Sequence, residues 1–330
     1  MILAGDIGGT KSLLAFFSRD AGPRQPHGER SLPSRSYAGL AEVLKDFLRG
    51  ADEPVELACF GVPGPVIAGR SETPNIPWGV VDTRELREVI GSEVILLNDL
   101  EATGYGVETL GDQEIETLSQ GLPNPQGNAA LIAPGTGLGE AILFWDGQQR
   151  RPSASEGGHA DFSPRNPQEI ELLHYLLKDF DRVSWDRILS GRGLRDLYRF
   201  LRDTDLAEEP GWLAEEMARA NDPAVAISQR ALDTSSELCV KTLDLWVTLL
   251  GAEASNLALK ALATAGVYLA GGIAPKIRAK LRDRTFLESF HAKGRLSAVV
   301  KQMPVHLVVD EKVGLYGAAR FAFEKTQAPR

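Results

Sequence analysis

The sequence predicts an α/β protein built from two related parts. Segments that read as strands alternate with segments whose apolar residues recur at helical spacing, which is the pattern of a sheet covered by helices. A strand, a turn of glycine and threonine, and a second strand also occur twice, as GDIGGTKSLLAFF and, about 130 positions later, as APGTGLGEAILFW. We expect two related halves that face one cleft.

The composition limits the classes of protein to consider. The chain has 330 residues, of which 43% are hydrophobic and 25% charged, and its formal net charge is −9. This length allows two domains, and the acidic balance disfavours a nucleic acid as a partner. No stretch approaches the ~18 apolar residues of a membrane helix, and no signal peptide is recognisable. Cys59 and Cys239 read as buried free thiols, so we expect a cytoplasmic protein that binds no membrane.

The elements of the first part follow in chain order. We predict strands over residues 1–6, 11–18, 55–62 and 94–97, because these runs are apolar and are bounded by turn residues. The apolar spacing predicts helices over residues 40–49 and 83–90. Residues 22–35 and 121–127 are rich in Gly, Pro and polar residues, which is typical of surface loops.

A second part begins after Leu110 and contains more helix. The pattern predicts strands over residues 128–134, 140–145, 267–270 and 305–309. Helices are predicted over residues 167–178, 186–202, 223–250, 253–263 and 313–324. Pro275 is suited to the first turn of one more helix.

The first motif is Asp6-Ile7-Gly8-Gly9-Thr10-Lys11. It lacks the P-loop spacing, and a strand rather than a helix follows its glycines, so it is no dinucleotide fingerprint either. Adjacent glycines in a hairpin let backbone N–H groups surround an anion, although Gly-Gly is also an ordinary hairpin turn. An acidic side chain beside a phosphate can hold Mg²⁺ through its water ligands, which is the role expected of Asp6.

Two further glycine motifs have the same ambiguity. The run Gly135-Thr136-Gly137 joins two strands as the first motif does, and a pair of such turns is more informative than either alone. Gly271-Gly272 lies where a strand meets a helix, which suits close approach by a flat ring or a phosphate but equally suits a tight turn.

Polar side chains occur at two other places. Asn98 and Asp99 end an apolar strand, where both are favoured helix caps, or where a strand that opens into a cleft would place a base. Glu156 and His159 flank a Gly-Gly pair. They could be metal ligands, an acid–base pair or partners for hydroxyl groups, and metal is the weakest of these because no second His is near.

Six motifs together resemble the bacterial glucokinase family, in the branch without the zinc-binding cysteine cluster. They are GDIGGTK, LLNDLEATGYG, APGTGLGEA, SEGGHADFSP, RILSGRGL and LAGGIAPK, in this order and at these spacings. The resemblance extends from about residue 4 to about residue 320. It implies the actin-like ATPase (ribonuclease H-like) fold, with two α/β domains flanking a cleft. The smaller would comprise residues 1–110 plus 298–330, and the larger residues 111–297.

The resemblance also implies the reaction and the residues that perform it. The expected activity is ATP-dependent phosphorylation of glucose with Mg²⁺, by a homodimer. Asp99 would be the catalytic base, and Asp6 would lie near Mg²⁺. The other residues implied to bind the sugar are Asn75, Asn98, Glu156, His159, Asp186, Pro63 and Gly64. The residues implied to bind ATP are Gly8, Gly9, Thr10, Lys11, Gly135, Thr136, Gly137, Gly271 and Gly272.

One residue departs from the family pattern, and rival functions stay open. The family usually has Glu where this chain has Asp186, whose carboxylate is one methylene shorter, so a bond from it to the sugar needs a backbone shift or a bridging water. A kinase for another hexose, such as mannose or glucosamine, is therefore an alternative. A sugar-binding regulator without kinase activity and an actin-like structural ATPase are alternatives of another class.

Overall fold

The computed structural model describes residues 1–51, 54–73 and 76–327. The strands are β1 (Ile2–Ile7), β2 (Lys11–Phe17), β3 (Pro26–Pro33), β4 (Leu57–Val62), β5 (Val66–Ile67), β6 (Arg70–Glu72), β7 (Val80–Asp82), β8 (Glu93–Asn98), β9 (Ile115–Ser119), β10 (Ala129–Pro134), β11 (Leu138–Trp145), β12 (Arg150–Ser153), β13 (Gly266–Leu269) and β14 (Val305–Val308). The α-helices are α1 (Leu40–Phe47), α2 (Thr83–Ile90), α3 (Asp99–Val107), α4 (Pro167–Leu176), α5 (Trp185–Ile188), α6 (Gly191–Asp203), α7 (Gly211–Arg219), α8 (Pro223–Leu232), α9 (Glu237–Ala261), α10 (Arg278–Leu281), α11 (Arg284–His291), α12 (Ser297–Val300) and α13 (Val313–Gln327).

The chain divides into two compact units. The first comprises Met1–Ile115, Gln148–Ala154 and the segment from Asp310 onward, and the second comprises Glu116–Gly147 and Ser155–Val309. Each unit has its own sheet and its own hydrophobic core. The mixed α/β content confirms the predicted fold class.

The sheet of the first unit has the strand order β3-β2-β1-β4-β8. Strands β1 and β2 form an antiparallel hairpin, whereas β4 is parallel to β1 and β8 is parallel to β4. Helices cover both faces. Leu3 and Ile7 of β1 join the core of α1 and α2, while Ile2 and Ala4 join the core of α3 and α13.

The second unit repeats this arrangement. Strands β10 and β11 form an antiparallel hairpin, β13 is parallel to β10, and β14 is parallel to β13. The order β11-β10-β13-β14 thus matches the order β2-β1-β4-β8 of the first unit. The long helix α9 packs on this sheet, and residues such as Trp246 and Leu250 lie at the centre of its core. The two halves that the glycine hairpins predict therefore have the same strand order.

The predicted domain boundary at residue 298 is wrong for one strand. We expected β14 to belong to the smaller domain, but it pairs with β13 in the sheet of the second unit. The apolar residues Val305 and Leu307 are completely buried in that unit's core. The chain returns to the first unit only at Asp310.

Several predicted elements also need correction. Residues 22–35, predicted as a loop, contain the edge strand β3. The helix predicted over residues 223–250 is divided, since α8 ends at Leu232 and Ser236 caps α9 by accepting a hydrogen bond from the Cys239 N–H. That second helix continues without a break to Ala261. The segment from Pro275 forms a 3-10 turn over Ala274–Ile277 before α10.

Candidate active site

The strand ends of the first unit bring most of its predicted site residues to one edge. Strands β1, β4 and β8 are parallel neighbours, so their carboxyl ends lie side by side, and ligands of α/β proteins bind at such edges. Asp6 lies near the end of β1, Pro63 and Gly64 follow β4, and Asn98 ends β8 directly before Asp99.

Buried hydroxyl groups stabilise the hairpin between β1 and β2. The Gly8 N–H donates to the Lys11 carbonyl at 2.9 Å. The Gly8 carbonyl accepts from Ser34 Oγ at 2.7 Å, and Ser34 is completely buried beside Ser12, with 2.9 Å between the two hydroxyl oxygens. Gly9 is partly exposed and Thr10 is exposed. The turn is therefore fixed on its inner side and open on its outer side, as a phosphate cradle requires.

Asp6 faces the start of the last helix. A Cβ atom on Gly314, in the first turn of α13, would lie 3.0 Å from the Asp6 Cγ, so a side chain at this position would crowd the carboxylate. Burial raises the pKa of Asp6 to about 6, against the opposite effect of the Lys11 charge. A carboxylate beside a glycine hairpin of this kind fits a magnesium ion held mainly by phosphate and water. Within the described residues, no three His, Cys, Asp or Glu side chains cluster as ligands of a metal.

Asn98 and Asp99 both engage the start of α3. Asn98 Oδ1 accepts from the N–H groups of Leu100 and Glu101 at 3.0 and 3.3 Å, and Asn98 Nδ2 donates to the Gly64 carbonyl at 3.1 Å. Asp99 Oδ1 accepts from the Leu100 N–H at 2.9 Å. Asn98 is thus a helix cap that also ties the Gly64 turn to β8, while the half-buried Asp99 side chain is oriented by the first turn of the helix.

In the second unit, the turn Gly135–Gly137 is closed by a hydrogen bond from the Gly135 N–H to the Gly137 carbonyl at 2.7 Å. Asp186, in α5, lies against this turn, and its Oδ1 accepts from the Leu138 N–H at 2.7 Å. Asp186 therefore has a partner in the hairpin between β10 and β11. The predicted contact of Asp186 with the sugar stays a prediction.

Gly271 and Gly272 follow β13 beside the same hairpin. The Ile273 N–H donates to the Pro134 carbonyl at 3.3 Å, which holds the turn against the end of β10. Both glycines are exposed. The two glycine motifs of the second unit therefore adjoin each other, as a nucleotide that extends from phosphates to a base would need.

Glu156 and His159 project from a short 3-10 turn, Gly157–His159. Both side chains are exposed, and His159 Nε2 lies 3.9 Å from Glu156 Oε2. The intervening glycines rest on β11, because a Cβ atom on Gly158 would overlap the Leu138 carbonyl oxygen. Strand β11 thus supports the Glu156–His159 loop and begins directly after the phosphate-type turn.

The sequence did not point to some residues of this site, and one predicted residue lies outside the part of the chain that the structure describes. Asn75 is not among the residues that the structure describes. Ser34 and Gly314 gave no motif of their own, although small residues recur along the last helix. Glu140 could have been singled out from the sequence, because it is an acidic residue within the apolar run of β11.

Sequence and structure comparisons agree on the family. A sequence model of the glucokinase family, described simply as glucokinase, matches residues 3–325. Glucokinases of Nostoc sp. and Nostoc punctiforme are 40% and 38% identical to this chain, and each match covers 97% of this chain and 98% of the relative.

Solved structures show the same fold. The glucokinase of an Antarctic psychrotroph, 28% identical, has a TM-score of 0.81 with 98% of both chains covered. The glucokinase of Balamuthia mandrillaris in complex with glucose, 21% identical, has a TM-score of 0.83 with 97% of this chain and 93% of that chain covered. A ROK family glucokinase of Streptomyces griseus in complex with glucose and AMPPNP, 20% identical, has a TM-score of 0.67 with 98% and 99% covered.

With its duplicated strand order, the structure has the actin-like ATPase fold of the sugar kinases. The chain belongs to the glucokinase family. Cys59 and Cys239 are free and buried, as predicted. No helix in residues 1–51, 54–73 or 76–327 is both long and apolar enough to cross a membrane.

Proposed function

We propose that this protein transfers the γ-phosphoryl group of ATP to the 6-hydroxyl of glucose, giving glucose 6-phosphate and ADP. The observation that carries the proposal is the position of Asp99, which begins α3 at the same sheet edge as the Gly8–Thr10 hairpin. Phosphoryl transfer needs an acceptor-hydroxyl base and a cradle for phosphates, and this edge supplies one candidate for each. Membership of the glucokinase family supports ATP as the donor and glucose as the acceptor.

Asp99 is the catalytic base in this proposal. Its carboxylate accepts the proton of the 6-hydroxyl while that oxygen forms a bond to the γ-phosphorus. The bond from phosphorus to the bridging oxygen breaks, and ADP leaves with the electron pair. A carboxylate is a weak base, so much of the rate comes from positioning the hydroxyl and excluding water.

The sugar-binding residues divide by the role that their contacts support. Glu156 and His159 have exposed polar side chains that can bond sugar hydroxyls directly. Asn98 is nearly buried and already hydrogen-bonded to backbone groups. Its main role is therefore to position Asp99 and the Pro63-Gly64 turn, and it can make at most one direct hydrogen bond to the sugar. Asn75 remains a proposed sugar ligand from the family resemblance.

By resemblance to the family, backbone groups bind the nucleotide. Gly8, Gly9 and Thr10, and likewise Gly135, Thr136 and Gly137, provide N–H groups for phosphates. The exposed Lys11 ammonium adds a positive charge near the first hairpin, and it now pairs with Glu311 at 3.1 Å. Gly271 and Gly272 lie along the adenosine. Asp6 would help to hold Mg²⁺, and the ion, when bound, would neutralise charge on the phosphates.

Two further properties belong to the proposal. The family resemblance supports a homodimer, which sedimentation velocity at micromolar concentration would test, and a purely monomeric boundary would contradict it. An ATP substrate and two free buried thiols are consistent with action in the cytoplasm.

A coupled assay of ADP release tests the function. MgATP is supplied with glucose, mannose, glucosamine, fructose or no sugar, and we expect rapid release with glucose and very little without sugar. Faster release with another hexose would mean that this sugar is the substrate, and the proposed phosphoryl transfer would still hold. Hydrolysis at equal rates with and without sugar would exclude a sugar kinase and favour an ATPase of the same fold.

A further inference from the structure

Two buried carboxyl groups interact with each other in the second unit. Glu140, in β11, is 1% exposed, and Glu253, in the long helix α9, is completely buried. Among the residues that the structure describes, neither Glu140 Oε1 nor Glu253 Oε1 has a hydrogen-bond donor. Two buried carboxylates with unsatisfied oxygens would be costly, but one proton shared between them satisfies both groups.

The neighbouring charges decide which carboxyl keeps the proton. On the side of Glu253, Asn256 Nδ2 donates to Oε2 at 2.7 Å, and Lys260 Nζ lies 3.8 Å from Oε1. Lys293 donates to Asn256 Oδ1, which orients that amide toward Glu253. Glu253 is therefore the better-stabilised anion, and Glu140 is the neutral donor.

Other ionisable groups near the pair are already engaged or exposed. Arg165, whose positive charge acts on Lys293, is itself paired with Glu169, with 2.6 Å between Arg165 Nη2 and Glu169 Oε1. Glu156 and His159 of the loop above are exposed to solvent. Burial, and then the negative charge of Glu253, raise the pKa of Glu140 to about 8, while Lys260 opposes this shift. Burial also raises the pKa of Glu253.

Glu140 lies directly below the loop that holds Glu156 and His159. A Cβ atom on Gly157 would overlap Glu140 Oε2 and would lie 3.4 Å from the Glu140 Cβ. The glycine backbone therefore rests on the carboxyl itself. An ionised Glu140 would require water or a cation in the space that Gly157 fills, and this would lift the loop.

We propose that Glu140 is a positioning residue for sugar binding, because its neutral carboxyl, hydrogen-bonded to Glu253, forms the floor on which the Glu156–His159 loop rests. The inference depends on the proposed function, since it takes Glu156 and His159 to be ligands of the sugar. Glu140 itself does not touch the sugar. The protonation state of Glu140 governs the positions of Glu156 and His159.

The test compares Glu140→Gln and Glu140→Ala with the wild type between pH 6 and 9, by measuring the KM for glucose, the KM for ATP and kcat. For the wild type, we expect the KM for glucose to rise above about pH 8, where Glu140 ionises, with the KM for ATP nearly unchanged. Glutamine keeps the shape and a donor but cannot ionise, so Glu140→Gln should keep the neutral-pH values and lose the alkaline rise. Glu140→Ala removes the floor and should raise the KM for glucose about tenfold at neutral pH.

Glu156→Ala is the control that separates the two proposals. If Glu156→Ala raises the KM for glucose but both Glu140 variants behave as the wild type at every pH, the inference about Glu140 is overturned and the proposed site stands. If Glu156→Ala also has no effect, the proposed sugar site itself is wrong. An alkaline rise that persists in Glu140→Gln would equally overturn the inference, and this variant keeps the test valid even if Glu140→Ala does not fold.

Discussion

At the scale of single residues, the Asn98–Asp99 pair combines a structural and a proposed chemical role. Asn98 caps α3, and this cap fixes the first turn in which Asp99 stands. The sequence allowed either a cap or a base, and the structure assigns the cap to Asn98. The role of Asp99 as the base remains a prediction that mutation can test.

Asp99→Asn should abolish phosphorylation with little effect on folding. The amide keeps the shape and an oxygen that can accept from the Leu100 N–H, but it cannot take a proton, so we expect kcat to fall by at least about a hundredfold. Glucose binding, measured by calorimetry, should be retained. Asp112→Asn, at an exposed position, is the matched control. A variant with normal turnover would return Asp99 to a purely structural role.

Asp186→Ala distinguishes the two partners considered for this residue. The sequence predicts weaker glucose binding, whereas the 2.7 Å bond to the Leu138 N–H places Asp186 against the phosphate-type hairpin. Loss of this charged acceptor leaves a partly buried N–H unpaired, so we expect the KM for ATP to rise about tenfold. Asp186→Asn retains an acceptor and should have a smaller effect. A rise in the KM for glucose alone would support the sugar contact instead.

The limits of sequence reasoning are clearest at these residues. The glycine hairpins and the Asn98–Asp99 strand end could be read from the sequence, because their backbone geometry needs particular residue types at adjacent positions. Glu140 and Glu253 are separated by more than a hundred positions, and their interaction depends on the packing of α9 on β11. Likewise, the close contact between position 314 and Asp6 arises only because the fold brings these two residues together.

At the scale of elements, α3 and α13 pack unusually closely. A Cβ atom on Gly317 would overlap the Ala102 carbonyl oxygen and would lie 2.5 Å from the Gly106 nitrogen. Both obstacles are backbone atoms, which cannot rotate away as a side chain can. This close approach fixes the helix that begins with Asp99 against the helix whose first turn faces Asp6.

Gly317→Ala should therefore destabilise the protein, even though alanine favours helices. Insertion of one methyl group into this contact should cost about 1–3 kcal/mol or more in the free energy of unfolding, because the helices must move apart. Gly211→Ala, in α7, is the matched control, since its Cβ atom would meet no other atom within 4 Å. Urea denaturation would measure both variants. Equal stability of Gly317→Ala and the wild type would contradict this packing.

Element boundaries show where local patterns fail. Strand β3 was predicted as a loop because it is an edge strand in which only Leu32 is buried, so it has no apolar alternation. Helix α9 was predicted to break near residue 251, where a glycine lowers helix propensity. The break does not occur, because the backbone of α11 packs against Gly251 and a Cβ atom there would lie 2.5 Å from the Phe286 carbonyl oxygen. Tertiary contact overrides local propensity at such positions.

At the scale of the whole molecule, the repeated strand order was the most predictable feature. Two short motifs, each a strand, a glycine turn and a second strand, specified the start of each sheet. The assignment of β14 could not be predicted with equal success, because a short apolar strand near the end of a chain fits either sheet. Its pairing with β13 assigns β14 to the sheet of the second unit.

Protonation of Glu140 should make global stability depend on pH. The folded protein holds this proton up to about pH 8, whereas an unfolded glutamate releases it near its ordinary pKa of 4.5. The folded state therefore binds more protons between these values, and the free energy of unfolding should fall as pH rises, by on the order of a few kcal/mol in total. Glu140→Gln should remove this part of the slope. Urea titrations at pH 5, 6, 7 and 8 would measure it, and identical slopes in both proteins would show that Glu140 is ionised throughout.

The position of α13 in the chain has a consequence for synthesis. This helix completes the first unit, where Leu315, Ala319 and Phe323 fill one of its cores, yet it follows residues 116–309, most of which form the second unit. At ~5–20 residues per second, a ribosome needs roughly 10–40 s to make that intervening stretch. During this interval, one face of the N-terminal sheet lacks one of its two covering helices, and Asp6 lacks its neighbour Gly314. The nascent chain must therefore keep an apolar surface from aggregating until α13 has emerged, and only then is the sheet edge that we propose to bind phosphates complete.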